Sequence, residues 1–486
     1  MEQLSRFVSA SACDRDRSHA RPRTSWVDQP EFKTYPPDLP RVALPTLSAC
    51  VDAEPQLASH RLISSLSHHP QPGAITTCPT ATAQPLTLAR VALLLQLSFG
   101  ITGHPAYKRA APSSGGLCPS ELFVLWQHSL YHFSPNSTKL TLIRVSDATC
   151  SLYRNSPLSC AHISSCTFFV ACNLHRTGAK YGDRCYRYVA ADVGHIVENM
   201  RLVALGLGLY CIVEPLFDDA AMSEFLGLDG VNEVVMAVVS TFSDTASPPQ
   251  VDALAAAASS SPTVTPACTG QYVACCPPQD DDSSLGVTGI AHIISSLSYT
   301  TSPSSSPQSR FPPLTILSLS SPRHTSVSST DLSSINLPHP PSPALSIVDC
   351  ILARRSYRRL SPDPISPDTL HAMLLAVVTP LASVSTCVRL HVIVNRAGIE
   401  PGLYRAASAA LTQPALARPA LSLRLIKSGL LADAAQEAAL DQNVIGNAAV
   451  VLIFSLSRRS IAAAGPAAGR EYRHGYLEAG IFALCA

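Results

Sequence analysis

The order of elements expected from this sequence is run through twice, and that repeat limits the chain to folds a duplicated unit can build. In each copy a helix leads to a strand, a turn around Leu-Tyr, an apolar strand and a basic-aromatic tetrad. The turns hold Leu130-Tyr131 in the first copy and Gly402-Leu403-Tyr404 in the second. The tetrads are Arg184-Cys185-Tyr186-Arg187 and Arg470-Glu471-Tyr472-Arg473. Packed as pseudo-subunits, two such halves can close on one site that neither completes alone.

Residues 1–85 mix Pro, Ser, His and Arg with little periodicity and read as an extended arm, with Trp26, Phe32 and Tyr35 placed to strap it onto a globular body. A first domain, 86–242, opens with a helix face from Leu86 to Phe99 that runs into Gly100. Glu121–Trp126, Leu140–Val145, Cys166–Ala171 and Val234–Val239 read as strands, with Tyr131–Asn136 as a turn region. The clearest helix spans Ala190–Leu207, where Val193, Ile196, Val197, Met200, Val203 and Ala204 form one face before Gly206 and Gly208 end it. Residues 243–345 are rich in Ser, Pro, Thr and Ala, bury too little apolar area to offset their ordering entropy, and read as a linker with one short helix candidate at Ile290–Leu297. A second domain, 346–486, begins with a helix that carries Arg354, Arg355 and Arg358. A helix at Ser366–Val378 and strands at Leu390–Asn395 and Ala448–Phe454 follow. The chain stops at Ala486 where the second long helix is expected to begin, so the second copy reads as C-terminally incomplete.

Charge sets aside several partners. With 35 basic and 34 acidic residues spread along 486, the chain has no field for steering nucleic acid or anionic lipid. The longest apolar run, Leu202–Val213, covers about half of the ~20 residues a spanning helix needs. The 16 cysteines include no C-x-x-C pair and no spacing suited to zinc, so no metal is expected. Free thiols in a reducing, cytoplasmic setting are the expectation.

Two stretches in opposite halves carry the chemistry. Arg354, Arg355 and Arg358, with Ser356 among them and read at a helix start, offer planar charged donors and free backbone N–H groups to a phosphate. Pro112-Ser113-Ser114-Gly115-Gly116 is a small-sided loop whose backbone can be approached closely. Asp192, His195 and Asn199 share nearly one helix edge, which reads as a satisfied structural histidine with a capping aspartate.

The run Lys180-Tyr181-Gly182-Asp183-Arg184-Cys185-Tyr186-Arg187-Tyr188, then Asp192-Val193-Gly194-His195, Asn199, Phe217-Asp218-Asp219 and Leu226-Gly227-Leu228-Asp229, resembles the SagB-type dehydrogenase branch of the nitroreductase superfamily. The loop from Arg109 to Gly116, the Ser129–Pro135 stretch and Trp26–Pro30 fit the same family in the same order. The likeness is dense over about 25–240 and thinner over 346–484.

It implies an α+β fold of two fused nitroreductase-like domains, each a mainly antiparallel sheet flanked by helices, forming a pseudo-dimer within one chain. It also implies FMN held where the halves meet, with the Arg354 cluster on the phosphate and the Pro112–Gly116 loop at the ring. In the peptide-azoline oxidases of this branch a Lys-Tyr pair is associated with catalysis, and Lys180-Tyr181 matches it by context. A base there would take the carbon-bound proton while a hydride goes to flavin. Lys180 would need burial or a neighbouring cation, and Arg176 or Arg184 is placed to supply one. The substrate is expected to be a small molecule or a modified peptide, with NAD(P)H and oxygen both open as co-substrate. Two departures stand out. The second half has no Pro-Ser-Ser-Gly counterpart between Val378 and Leu390, and no second Gly206-Leu207-Gly208. A flavin-free scaffold or binding partner is the competing expectation.

Overall fold

The computed structural model describes residues 32–59, 86–103, 108–127, 129–145, 166–214, 217–243, 292, 295–296, 334–336, 345–378, 387–408 and 421–485. The first half runs β1 (Arg41–Ala43), α1 (Leu47–Ala53), α2 (Pro55–Ser59), α3 (Leu88–Phe99), β2 (Ser120–Trp126), β3 (Ser129–Ser134), β4 (Lys139–Val145), β5 (Cys166–Asn173), α4 (Leu174–Tyr181), α5 (Cys185–Gly206), β6 (Leu209–Val213), α6 (Asp219–Leu226) and β7 (Glu233–Ser243). The second runs β8 (Ser334–Asn336), α7 (Ile347–Ala353), α8 (Pro367–Val378), β9 (Val388–Val394), β10 (Gly402–Ser408), β11 (Leu421–Ser428), α9 (Ala432–Ala438), α10 (Asn443–Gly446), β12 (Val450–Leu456), α11 (Arg458–Ala463) and α12 (Ala468–Cys485).

Each half builds an antiparallel sheet, in the orders β1-β4-β3-β2-β5-β7-β6 and β12-β9-β10-β11-β8. The first sheet is covered on both faces. Leu122, Val124 and Trp126 of β2 enter the main core, while Phe123 and Leu125 between them enter a second core with Phe217 and Phe225. Period-two alternation therefore appears in which core a residue joins rather than as apolar against polar. The fold is thus the α+β tandem arrangement expected of a duplicated unit.

The halves meet through α5 and α12. Gly194 and Gly480 sit at the crossing, where a Cβ on the first would run into the Leu477 carbonyl and a Cβ on the second into the Ala191 carbonyl. Nearer the helix starts, Arg187 Nε donates to Tyr472 Oη at 2.9 Å and Arg473 Nε donates to Tyr186 Oη at 3.0 Å. Each contact has a reciprocal partner, as an interface between equal halves requires. The main core is continuous across this contact: Ile347, Ile351, Leu477 and Ile481 belong to it together with residues of α3 and α5.

Several elements differ from the sequence expectation. Tyr131-His132-Phe133 and Leu403-Tyr404 are strand residues, in β3 and β10, not turns. The bends of the first half fall beside them, at Gln127 and Thr138 with φ of 48° and 53°. α12 is a developed helix of 18 residues rather than one just beginning. Arg41–Ser59, expected within an extended arm, supplies β1 and two helices, and Ser334–Asn336, expected within the linker, pairs with β11. His292 and Ser295 of that same stretch are helical and buried, with Ser295 Oγ 2.6 Å from Tyr186 Oη. Trp26 lies outside the described residues.

Candidate functional site

The loop between α3 and β2 forms one tight turn over Ser114–Gly116, with φ of +65° at Gly115 and +72° at Gly116. That left-handed backbone favours glycine. Space requires it too at Gly115, where a Cβ would lie 2.8 Å from Tyr181 Oη and 3.1 Å from Lys180 Nζ. The structure thus brings the Pro112–Gly116 loop and the Lys180-Tyr181 pair together.

The loop is pinned from α5. Asp192 accepts hydrogen bonds from Ser113 Oγ at 2.6 Å, Ser114 N at 3.0 Å and Ser114 Oγ at 2.9 Å. One turn on, His195 Nδ1 lies 3.2 Å from the Pro112 carbonyl and must carry the proton to donate to it. Burial raises the Asp192 carboxyl to about 7 despite those donors. It lowers His195 to about 4, so this imidazole is neutral at pH 7. The sequence reading of a satisfied histidine with a capping aspartate fits, but the turn being capped belongs to the loop and not to α5.

A buried polar network carries the floor of the loop. Arg176 donates to the carbonyls of Cys118 at 3.2 Å and Pro119 at 3.4 Å and to Glu121 Oε1 at 2.6 Å. Burial pushes Glu121 upward, but Arg176, His132 and the Lys33 N–H outweigh it and hold the carboxyl at about 2. Phe32 packs its ring against both Arg109 and Arg176, at 4.7 and 4.5 Å, and the Tyr35 ring lies 5.1 Å from that of His132. Residues 32–35 therefore do strap the loop region, as the sequence suggested. Arg176 is committed to Glu121 and to the Cys118 and Pro119 carbonyls.

Lys180 and Tyr181 close α4. Lys180 is exposed, so the burial expected around it is not provided, and its Nζ stands 5.4 Å from the Tyr181 ring centre. Tyr181 is half-buried with its ring edge-on to Tyr188. Burial, Tyr188 and Asp192 raise its phenol pKa, while Arg184 and Arg358 pull it down. The net rise keeps Tyr181 a protonated donor at neutral pH.

The arginine cluster lies elsewhere than the sequence placed it within its helix. Ser346 caps the start of α7, which ends at Ala353 with Arg354 as its C-cap, so Arg354–Arg358 follow the helix. No helix-start N–H groups point from this cluster toward a phosphate; cations at this end instead complement the helix dipole. Arg354 crosses to the first half, donating through Nε to the Ala110 carbonyl and through Nη2 to the Arg109 carbonyl, both at 3.1 Å. Its Nη1 is 3.4 Å from Ser356 Oγ. Arg355 turns back to the Leu352 and Arg354 carbonyls at 2.7 Å. Arg358 is exposed, has no ion pair among the described residues, and is near enough to Tyr181 to act on its phenol. With Arg359, Leu360, Asn443, Val444 and Asn447 it lines an open cavity of about 410 Å³.

Sequence reasoning missed the partners of Asp192 and the acidic anchor of the half-to-half contact. Asp219 receives Arg473 Nη1 at 2.6 Å and also Arg470, all three buried. Among the described residues no cluster of three or more His, Cys, Asp or Glu is arranged to hold a metal. No described helix is long and apolar enough to cross a membrane.

A duplicated α+β sheet unit with its loop site at the junction defines the class, and the comparisons give it a family. The nitroreductase family model matches residues 77–240 and 351–483, and the chain belongs to that family. An inferred nitroreductase of Methanocaldococcus jannaschii, MJ1384, is 29% identical over 154 residues, which is 30% of this chain and 76% of that protein. A crystal structure assigned as a nitroreductase, from Anabaena variabilis, superposes with a TM-score of 0.67 at 19% identity, covering 99% of this chain and 90% of that one. That likeness is one of fold. The E. coli microcin synthetase McbBCD complex aligns over 44% of this chain and 77% of its own at 18% identity, with a TM-score of 0.31, too low to carry an argument.

Proposed function

We propose that this chain is an FMN-dependent oxidoreductase of the SagB-type branch, with its site at the junction of the halves. The observation that carries this reading is the convergence of three elements. The Gly115 turn, the Lys180-Tyr181 pair and the second-half arginine cluster approach one another although they lie far apart in sequence. The residues fit a flavin phosphate and ring. Gly115 and Gly116 leave a turn without side chains, and Arg358 keeps its charge unpaired among the described residues. Arg355, Ser356 and Arg358 would hold the phosphate, with Arg354 fixing the loop and adding charge. Pro112, Ser113, Ser114, Gly115 and Gly116 would face the ring.

When bound, FMN supplies a two-electron hydride acceptor. The chain's own part is proton handling. Lys180 Nζ would take the carbon-bound proton of a thiazoline or oxazoline, with Arg184, which acts on the adjacent Tyr181 phenol, as the neighbouring cation, and the protonated Tyr181 would donate a hydrogen bond to the substrate. Asp192 and His195 hold the turn so that both groups keep their place. The substrate in this reading is a modified peptide, or else a small nitroaromatic reduced at the cost of NAD(P)H. A cytoplasmic setting belongs to the same reading, and the described cysteines are free thiols.

The test is anaerobic mixing of the FMN-loaded chain with a thiazoline peptide and, separately, with NAD(P)H. Bleaching by the peptide, with an aromatised product lacking two hydrogens, supports azoline oxidation. Bleaching by NAD(P)H alone moves the assignment to nitroreductase chemistry. Bleaching by neither overturns the enzyme reading and favours the scaffold.

A further inference from the structure

Across the interface one constant shift along the sequence relates Tyr186 to Tyr472, Arg187 to Arg473, Ala191 to Leu477 and Gly194 to Gly480, and each of these residues makes the contact its counterpart makes. The two halves are therefore close to equivalent at their shared helices, and a symmetric pair would present two sites. That shift keeps a carboxylate in place of Asp192 but neither His195 nor the Lys180-Tyr181 pair.

Asp192, which pins the loop, corresponds to Glu478, and His195 corresponds to Ile481. α4 and its following turn, which carry Lys180 and Tyr181 into α5, correspond to α11 and the Gly465–Ala467 turn ahead of α12. By the same shift Lys180 and Tyr181 fall on Pro466 and Ala467, neither of them titratable, and the only charged side chains of α11 are Arg458 and Arg459 at its start. The connection differs as well. In the first half residues 100–119 join α3 to β2, and in the second only 379–387 join α8 to β9, less than half that length. Residues 379–387 hold no glycine and no Lys-Tyr pair precedes α12, so a glycine turn facing such a pair cannot be assembled from these pieces, although Glu478 keeps a carboxylate on the helix.

We infer that the chain keeps one cofactor site of an original symmetric pair and that the twin is lost, so that one chain binds one FMN. This rests on the FMN reading above. It predicts a single hyperbolic binding isotherm, because no second site exists to couple to the first. It also gives the halves separate duties: the first supplies the loop and the proton-handling groups, and the second supplies Arg354–Arg358 and the helix that braces α5.

The experiment saturates the full chain with FMN, removes free flavin by gel filtration, and measures released FMN against chain concentration. One FMN per chain is expected. Two per chain overturns this inference and leaves the FMN reading standing, whereas none overturns the FMN reading and this inference with it. Two variants locate the site. Gly115→Val should lose the flavin, and Ala467→Val, at the second-half counterpart of Tyr181, should keep it. Arg354→Ala, which leaves the glycine turn's own backbone unstrained, serves should Gly115→Val fail to fold, and is expected to lose at least tenfold in affinity. Flavin retained in Arg354→Ala and lost from Ala467→Val would put FMN in the twin and overturn the assignment.

Discussion

The Arg354 guanidinium and the Ala110 carbonyl oxygen lie 3.1 Å apart, although they belong to opposite halves of the chain. With the parallel bond to the Arg109 carbonyl, this fork fixes the entry to the Pro112–Gly116 turn from across the junction. The second half thereby controls the loop of the first. Replacing Arg354 by Ala removes two donors to backbone carbonyls and one positive charge. Hydrogen bonds to charged groups contribute ~1.5–3 kcal/mol, or one to two decades in affinity, so Arg354→Ala should weaken FMN binding by about that factor in a fluorescence titration. Arg354→Lys should restore little, since an ammonium cannot make the fork. Unchanged affinity in both variants would remove the arginine from the site.

Asp192 gives a pH signature. Its folded pKa of about 7 stands above the ordinary carboxylate value, so between about pH 4 and 7 the folded chain holds a proton that the unfolded chain releases. Stability from this group is then present below pH 4 and falls as pH rises to 7, by roughly 2–4 kcal/mol. Glu214, also raised to about 7, acts with the same sign, and the neutral His195 acts oppositely on the acid side. The difference between the parent and Asp192→Asn therefore isolates the residue. Denaturant midpoints measured across this range should converge on one pH dependence less steep than the parent's, and identical slopes would show that the carboxyl does not titrate there.

Lys180 and Tyr181 stand against the Gly115 turn, where a Cβ would meet both side chains. Lys180→Ala and Tyr181→Phe should keep bound flavin but slow its reduction by substrate by ~10²–10⁴-fold, the usual contribution of a general acid or base. Stopped-flow bleaching measures this directly. Full rates in both variants would leave the pair without a catalytic role.

Much of this was legible in the sequence because it depends on local pattern. The α5 periodicity, the end of α3 at Gly100 and the repeated Arg-x-Tyr-Arg tetrads all appear at or near their expected places. What failed were the features set by long-range packing. β3 was hidden because His132 looks like turn chemistry until Glu121, 2.9 Å away on the neighbouring strand, accepts its hydrogen bond. The sequence puts the arginine cluster at a helix start because it does not show that Arg354 caps an end. Asp192 and His195 read as a pair on one helix edge, but their partner loop lies about eighty residues earlier, and spacing carries no information about it.

The Gly194–Gly480 crossing makes a separate prediction about assembly. A side chain at either position collides with helix backbone, not with a movable side-chain tip. Overpacking of this kind costs ~1–3 kcal/mol or more. Gly194→Val should lower the thermal midpoint by several degrees, with a matching loss in Gly480→Val because the two sites are reciprocal. A parent-like midpoint in either variant would mean that the helices do not approach this closely.

The central claim, that the junction of the halves is a flavin site, is tested most directly by passing the full chain through gel filtration after incubation with FMN and recording the visible absorbance of the protein peak. The account predicts a yellow peak whose flavin absorbance is lost in Arg354→Ala while the far-ultraviolet dichroism stays that of the parent. A colourless parent peak with intact dichroism would contradict it and leave this nitroreductase-family chain as a scaffold.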